Sequence, residues 1–214
     1  MSTCIDPTAI PEEASPDPVR PHHHGNLKSA LIDASIDLLN ADGPSGLTLR
    51  KAAARAGVSH AAPAHHFAGL ADLLTAVATR AFELFTTAMR HARQDAGENA
   101  RARLEGICTG YIRFANEHAG LFHVMFLSAD VDRSDPHFLR TSEAAYTELR
   151  LACLPFSRVA PDPDQTLEIA VWSLVHGYAV LGFGAPWRKG IGPTPPSDFR
   201  ELLDRILANH TGAD

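Results

Sequence analysis

The 214-residue chain predicts an all-α protein with an N-terminal three-helix head and a larger C-terminal helical body. Three observations carry this. Apolar residues recur at spacings of three and four along most of the chain, the period of a helix buried on one side. Residues that cap helix starts, and glycines and prolines that stop helices, punctuate those stretches. After about residue 95 no run alternates apolar and polar residues, so nothing there reads as a strand.

Residues 1–22 carry five prolines and four acids and read as a disordered arm. The stretch HHGNLKSALIDASIDLLNADG then predicts one amphipathic helix of about five turns. Asn26 is its cap. Leu27, Leu31, Ala34 and Leu38 share a side, and Asp42-Gly43-Pro44 stops the helix. Next comes LTLRKAAARAGVSHAAPAHHF, residues 47–67, which has the grammar of a helix-turn-helix. Thr48 caps a short helix that buries Leu49, Ala52 and Ala53. Ala53, four residues before Gly57, is the small residue that two closely crossing helices need. Gly57 supplies the left-handed backbone that ends the helix. Val58 plugs the gap between the two helices, and Ser59 caps the second. Pro63 lies early in that second helix, where a missing N–H costs little, and delays its start by a residue or two. Leu73, Leu74, Val77, Ala81, Leu84 and Phe85 then predict a long helix from Ala71 to about Arg93. The head is placed at 23–70 and the body at 71–214.

In the body, Leu104, Ile107, Cys108, Tyr111 and Phe114 or Ala115 mark a helix over Arg101–His118, and a short apolar piece follows at 120–127. Asp135-Pro136 opens a helix that runs to about Leu154. Asp164 caps another through Leu181, the stretch 182–196 is a Gly- and Pro-rich loop, and Asp198 opens a last short helix. Leu167, Val171, Leu174, Tyr178 and Leu181 follow a four-three-four-three rhythm, a seam for a further helix. Packing within the subunit and a dimer contact both satisfy that rhythm. A helix-turn-helix reads two half-sites through a two-fold dimer, which favours a homodimer through 164–181 and 197–208.

Composition narrows the chemistry. No apolar run approaches the ~18 residues of a membrane span, and the first residues lack the basic-then-apolar pattern of a secretory signal. Three widely spaced cysteines, Cys4, Cys108 and Cys153, fit a reducing cytoplasm and packing roles. No Gly-rich phosphate loop, nucleophile elbow or HExxH motif occurs, so the chain is not read as an enzyme and no cofactor is expected. His22, His23 and His24 are adjacent and diverge, so no metal set is assigned. Net charge is −6, but Arg20 to Leu74 carries five bases against four acids, with Arg50, Lys51 and Arg55 on the motif. Ser59, His60, Ala61, Ala62 and His65, with His66 beside them, are expected near base edges of a duplex. Thr48, Arg50 and Lys51 are expected on phosphates.

From His23 to about Leu74, through HHGNLKSALIDAS, the 47–67 core and ADLL, the chain resembles the TetR family of transcriptional repressors. Trp172, His176 and Gly177 in WSLVHG resemble the WHG-type ligand-binding domain of one branch. The resemblance implies a ligand-responsive repressor that binds an inverted-repeat DNA operator as a homodimer. It also implies a body cavity that takes a small apolar effector. Phe85, Met89, Ile107, Tyr111, Phe122, Met125, Trp172 and His176 are the candidate lining, drawn from a body that also holds Phe82, Phe114 and Phe126. Tyr111 and His176 stand out because a polar tip inside an apolar helix needs a partner. The chain has Ala64 and Leu70 where relatives often carry a Tyr and a Lys that touch phosphates, so weaker DNA binding is expected. A constitutive repressor without inducer and a metal sensor using the histidines are the alternatives.

Overall fold

The computed structural model describes residues 27–157, 165–182 and 198–211. Within them every regular element is helical: α1 (Leu27–Asp42), α2 (Leu49–Arg55), α3 (Leu70–Asp95), α4 (Ala100–Glu117), α5 (Ala119–Phe126), α6 (Pro136–Cys153), α7 (Thr166–Val180) and α8 (Arg200–Thr211), with short 3-10 turns at Pro44–Gly46, Ala62–His65 and Leu154–Phe156.

Most helix starts are where the caps put them. Thr48 accepts the Lys51 N–H at 3.1 Å, and Asp135 accepts from His137 and Phe138 at 2.8 and 2.9 Å. Asp198 accepts from Arg200 at 3.0 Å. Helix α7 starts without a side-chain cap, as do α3 and α5. Its cap position is Gln165, in left-handed conformation with no side-chain capping bond, while the expected cap Asp164, like Asn26 and the arm, lies outside the described residues.

One continuous core runs from head to body. Leu31 and Leu39 of α1, Ala52 of α2, Phe67 and Leu73 fill the head, and the same cluster continues through Phe85, Ile107 and Leu121 to Val171 and Leu203. Helix α3 is the shared strut. Its 26 residues span about 39 Å at the usual rise. The first turns pack on the head and the later ones, with Phe82, Phe85 and Met89, enter the body. Two further ties fix it. The Asp132 N–H donates to Thr75 Oγ1 at 2.9 Å. Nearer its far end, Arg90 donates to Glu148 Oε1 of α6 from Nε and Nη2 at 3.0 and 2.7 Å, and Arg93 Nη1 lies 3.1 Å from Oε2. Glu148 is buried, so this ion pair holds α6 against α3 without a loose carboxylate in the core. Gly120 lets α5 meet α1: a Cβ there would overlap the Leu39 backbone carbonyl.

The seam expected on α7 is filled from within the subunit at its first two positions. Leu167 and Val171 are buried along with Val175, and Tyr178 meets the Phe199 ring at 6.2 Å. The periodicity reported burial and not the identity of the covering helix. The last seam position, Leu181 at the α7 C-cap, is exposed, as are Ile169, Trp172 and Val180 on α7 itself.

Candidate functional site

The head presents a short helix, a turn and a second element, and the turn is built as its sequence suggests. Gly57 has φ +71°. The Gly57 N–H reaches Ala54 O at 3.1 Å and the Val58 N–H reaches Ala53 O at 3.0 Å, the paired bonds of a Schellman stop. Val58 is half-buried against the core.

The second element is not the α-helix expected from Ser59. His60 and Ala61 form a turn, and Ala62–His65 is a single 3-10 turn with no side-chain cap. Pro63 explains this correction. In a helix capped by Ser59, the first α-type bond to the Ser59 carbonyl would come from residue 63, and proline has no N–H to give. The Ala62 N–H takes that carbonyl instead, at 3.0 Å with one residue fewer in the ring. Pro63 itself is buried, and its carbonyl accepts from both His66 and Phe67 at 2.9 Å.

The nine residues expected on DNA lie together on this part of the head. Thr48, Arg50, Lys51, Ser59, His60, Ala61 and His65 are exposed, and Ala62 and His66 are half-buried. Arg55 is committed to Asp37 at 3.3 Å. Arg50 and Lys51 make no ion pair among the described residues. Lys28 sits 5.6 Å over the Phe67 ring and adds positive charge to the same domain.

The body holds a cavity of about 510 Å³ between α3, α4, α6 and α7. Four of the eight expected lining residues face it: Phe85, Met89, Tyr111 and Trp172. Ile107 and Met125 are fully buried core, and Phe122 and His176 stand behind the wall. Rings meet edge to face through the wall, Phe85 on Tyr111 at 4.7 Å and Phe82 on Phe126 and Phe138 at 5.4 Å each. Residues not anticipated come mostly from α6 and the start of α7: Phe138, Ser142, Glu143, Tyr146, Gln165 and Ile169. The signal for them was the spacing Phe138, Ser142, Ala145, Leu149, one stripe of α6, which continues past the apolar residues into a serine.

Tyr111 and His176 are each other's partner, Oη to Nδ1 at 2.7 Å. With the phenol donating, the imidazole is neutral and carries its proton on Nε2. Burial pushes the Tyr111 phenol up and the His176 imidazole down, so both stay uncharged near neutrality. Burial likewise pushes the Cys153 thiol up to about 12, with Glu168 adding to the shift, and Cys108 further still. Neither supplies a thiolate. No three His, Cys, Asp or Glu side chains converge as a metal set among the described residues. None of the helices there is long and apolar enough to cross a membrane.

The described residues form a small helical head joined by one helix, α3, to a larger helical body that carries the cavity. Residues 31–77 match the family model for bacterial regulatory proteins of the tetR family, and residues 104–209 match the model described as Tetracyclin repressor-like, C-terminal domain. The chain belongs to the TetR family, whose members are DNA-binding transcriptional regulators. No curated protein matches it. Among solved structures it is similar to a protein of unknown function from Rhodococcus sp. RHA1, at 27% identity and TM-score 0.72, covering 90% of this chain and all of that one. A TetR-family transcriptional regulator from Streptomyces coelicolor shares the fold at 19% identity and TM-score 0.56, with 86% and 96% covered. The multidrug binding protein EbrR, complexed with imidazole, shares it at 21% and 0.56, with 84% and 88% covered.

Proposed function

We propose that the chain is a ligand-responsive repressor that binds an inverted-repeat operator as a homodimer and is released by a small, largely apolar effector in the cytoplasm. The observation that carries this is one helix serving two sites. Helix α3 packs on the head through Leu73 and Val77 and lines the cavity through Phe82, Phe85 and Met89. A ligand seated against those rings bears on the strut that orients the head. Coupling requires only that the ligand bind the DNA-competent and DNA-incompetent forms with different affinity. A tenfold loss of DNA affinity corresponds to about 1.4 kcal/mol of difference, within reach of a few apolar contacts.

Thr48, Arg50 and Lys51 hold phosphates in this reading. Ser59, His60, Ala61, Ala62, His65 and His66 lie toward the base edges, where the 3-10 turn makes a shorter probe than a full helix. A second copy docks through α7 and α8, covering Val180 and Leu181. The test has two stages. A genome-wide binding selection on the purified full chain yields an inverted repeat. Hydrophobic compounds found by thermal shift then weaken binding to that site. Failure to enrich any sequence overturns the DNA claim, and enrichment with no compound that weakens it leaves a constitutive repressor.

A further inference from the structure

We propose that the effector is an amphipathic organic cation, its apolar body among the rings and its positive end beside Glu143. The inference rests on the effector reading above and adds the charge of the ligand. Two charged side chains line the cavity, Arg133 and Glu143, and their commitments differ. Arg133 lines it but spends its guanidinium on backbone: Nη1 donates to Met125 O at 3.2 Å, and Nη2 to Phe126 O at 3.1 Å and Ser128 O at 3.4 Å. These are carbonyls at and just past the C-terminal end of α5, where a cation complements the helix dipole. One face of the same group lies over the Phe138 ring at 5.8 Å. Arg133 thus closes α5 and is a poor free partner for an anion.

Glu148, beside the α6 wall, is neutralised by Arg90 and Arg93. Glu143 is different. It lines the cavity from an exposed position on α6 and has no hydrogen bond or ion pair among the described residues. One turn on is Tyr146, whose ring stands 5.6 Å from Trp172 and tilts 52° to it, forming an aromatic corner. Burial and the nearby Glu168 carboxylate push the Tyr146 phenol above its ordinary value, so the ring stays neutral. Two aromatic rings with the Glu143 carboxylate beside them attract a quaternary or protonated amine, and the attraction grows as the amine loses water. An anion of the same shape would lose water against π-faces and beside the Glu143 carboxylate, with the Arg133 guanidinium already spent on backbone carbonyls.

Three matched probes test this by isothermal titration calorimetry on the full chain: 5-phenylpentyltrimethylammonium, its neutral isostere with carbon in place of nitrogen, and 6-phenylhexanoate. The cation is expected to bind at least about tenfold more tightly than the neutral isostere, about 1.4 kcal/mol, and the anion weakest. Glu143 is exposed, so Glu143→Gln should fold normally. It should bring the cation within about threefold of the neutral isostere, roughly 0.7 kcal/mol, while the affinity of the isostere is unchanged. A neutral or anionic probe that binds as well as the cation overturns the charge assignment and leaves the effector cavity standing. A cation preference that survives Glu143→Gln also overturns it. Binding of none of the three overturns the cavity reading together with the inference.

Discussion

Gly57 tests how the turn between α2 and the 3-10 turn at Ala62–His65 is built. Its φ is +71°, and no atom lies within 4 Å of the place a Cβ would occupy. A side chain added there meets open space, so any cost is backbone strain alone. The left-handed region costs an L-residue about 1–2 kcal/mol. Removing a glycine also restricts the unfolded chain, which offsets about 0.4–1 kcal/mol of that. Gly57→Ala should therefore destabilise by about 1 kcal/mol net. Gly57→Asn should cost less, because asparagine tolerates this region, and Gly57→Val more, because a β-branched residue resists positive φ. In a chain of this size each kcal/mol lowers Tm by about 2–4 °C.

The assay is thermal unfolding of the three variants, followed by DNA titration well below the transition. The expected order of loss is Asn, Ala, Val. DNA affinity should be nearly intact in the alanine variant and reduced at least about tenfold in the valine variant, a change of about 1.4 kcal/mol, because the bonds to Ala53 and Ala54 depend on this φ. A valine variant that melts with the parent, or an alanine variant that costs more than valine, would refute the argument.

Two further expectations concern the body. Gly120→Ala should destabilise by about 1–3 kcal/mol through overpacking against the Leu39 carbonyl, read as a fall in Tm; an unchanged Tm would show that α5 does not dock on α1 through this glycine. The His176 imidazole is held below its ordinary value by burial, so the unfolded state binds the extra proton first and stability is lost as pH falls from about 6.5 through the folded value. His176→Gln should flatten that part of the stability–pH curve, and an identical slope in the variant would count against burial of the His176 imidazole as its cause.

Local physics made much of the head legible. Thr48, Gly57 and Val58 act through bonds within a few residues, so their roles can be read before any tertiary structure exists, and Asp135 opens α6 for the same reason. Pro63 was legible in kind but not in consequence. A proline near a helix start is tolerated when its N–H would be an orphan anyway. Here it fell where the first ring-closing bond to Ser59 was due, and that single missing donor turned an α-helix into one 3-10 turn.

The cavity was legible only by half, for a different reason. A three-four rhythm reports that a side of a helix leaves water, and says nothing about what it meets. Ile107 and Phe85 carry the same signal, yet one is packed by neighbours and the other faces a void. The α7 seam shows the same gap, since Leu167 and Val171 are covered from within the subunit while Ile169 and Trp172, one helical face away, stay exposed at the cavity. Polar residues that interrupt an apolar stripe carry more information than the stripe itself. Ser142 and Glu143 on α6 and Gln165 at the start of α7 mark where the lining passes from buried rings to the exposed mouth of the cavity. That such residues stand where the two helices line a space is what separates a binding wall from a core wall in this body.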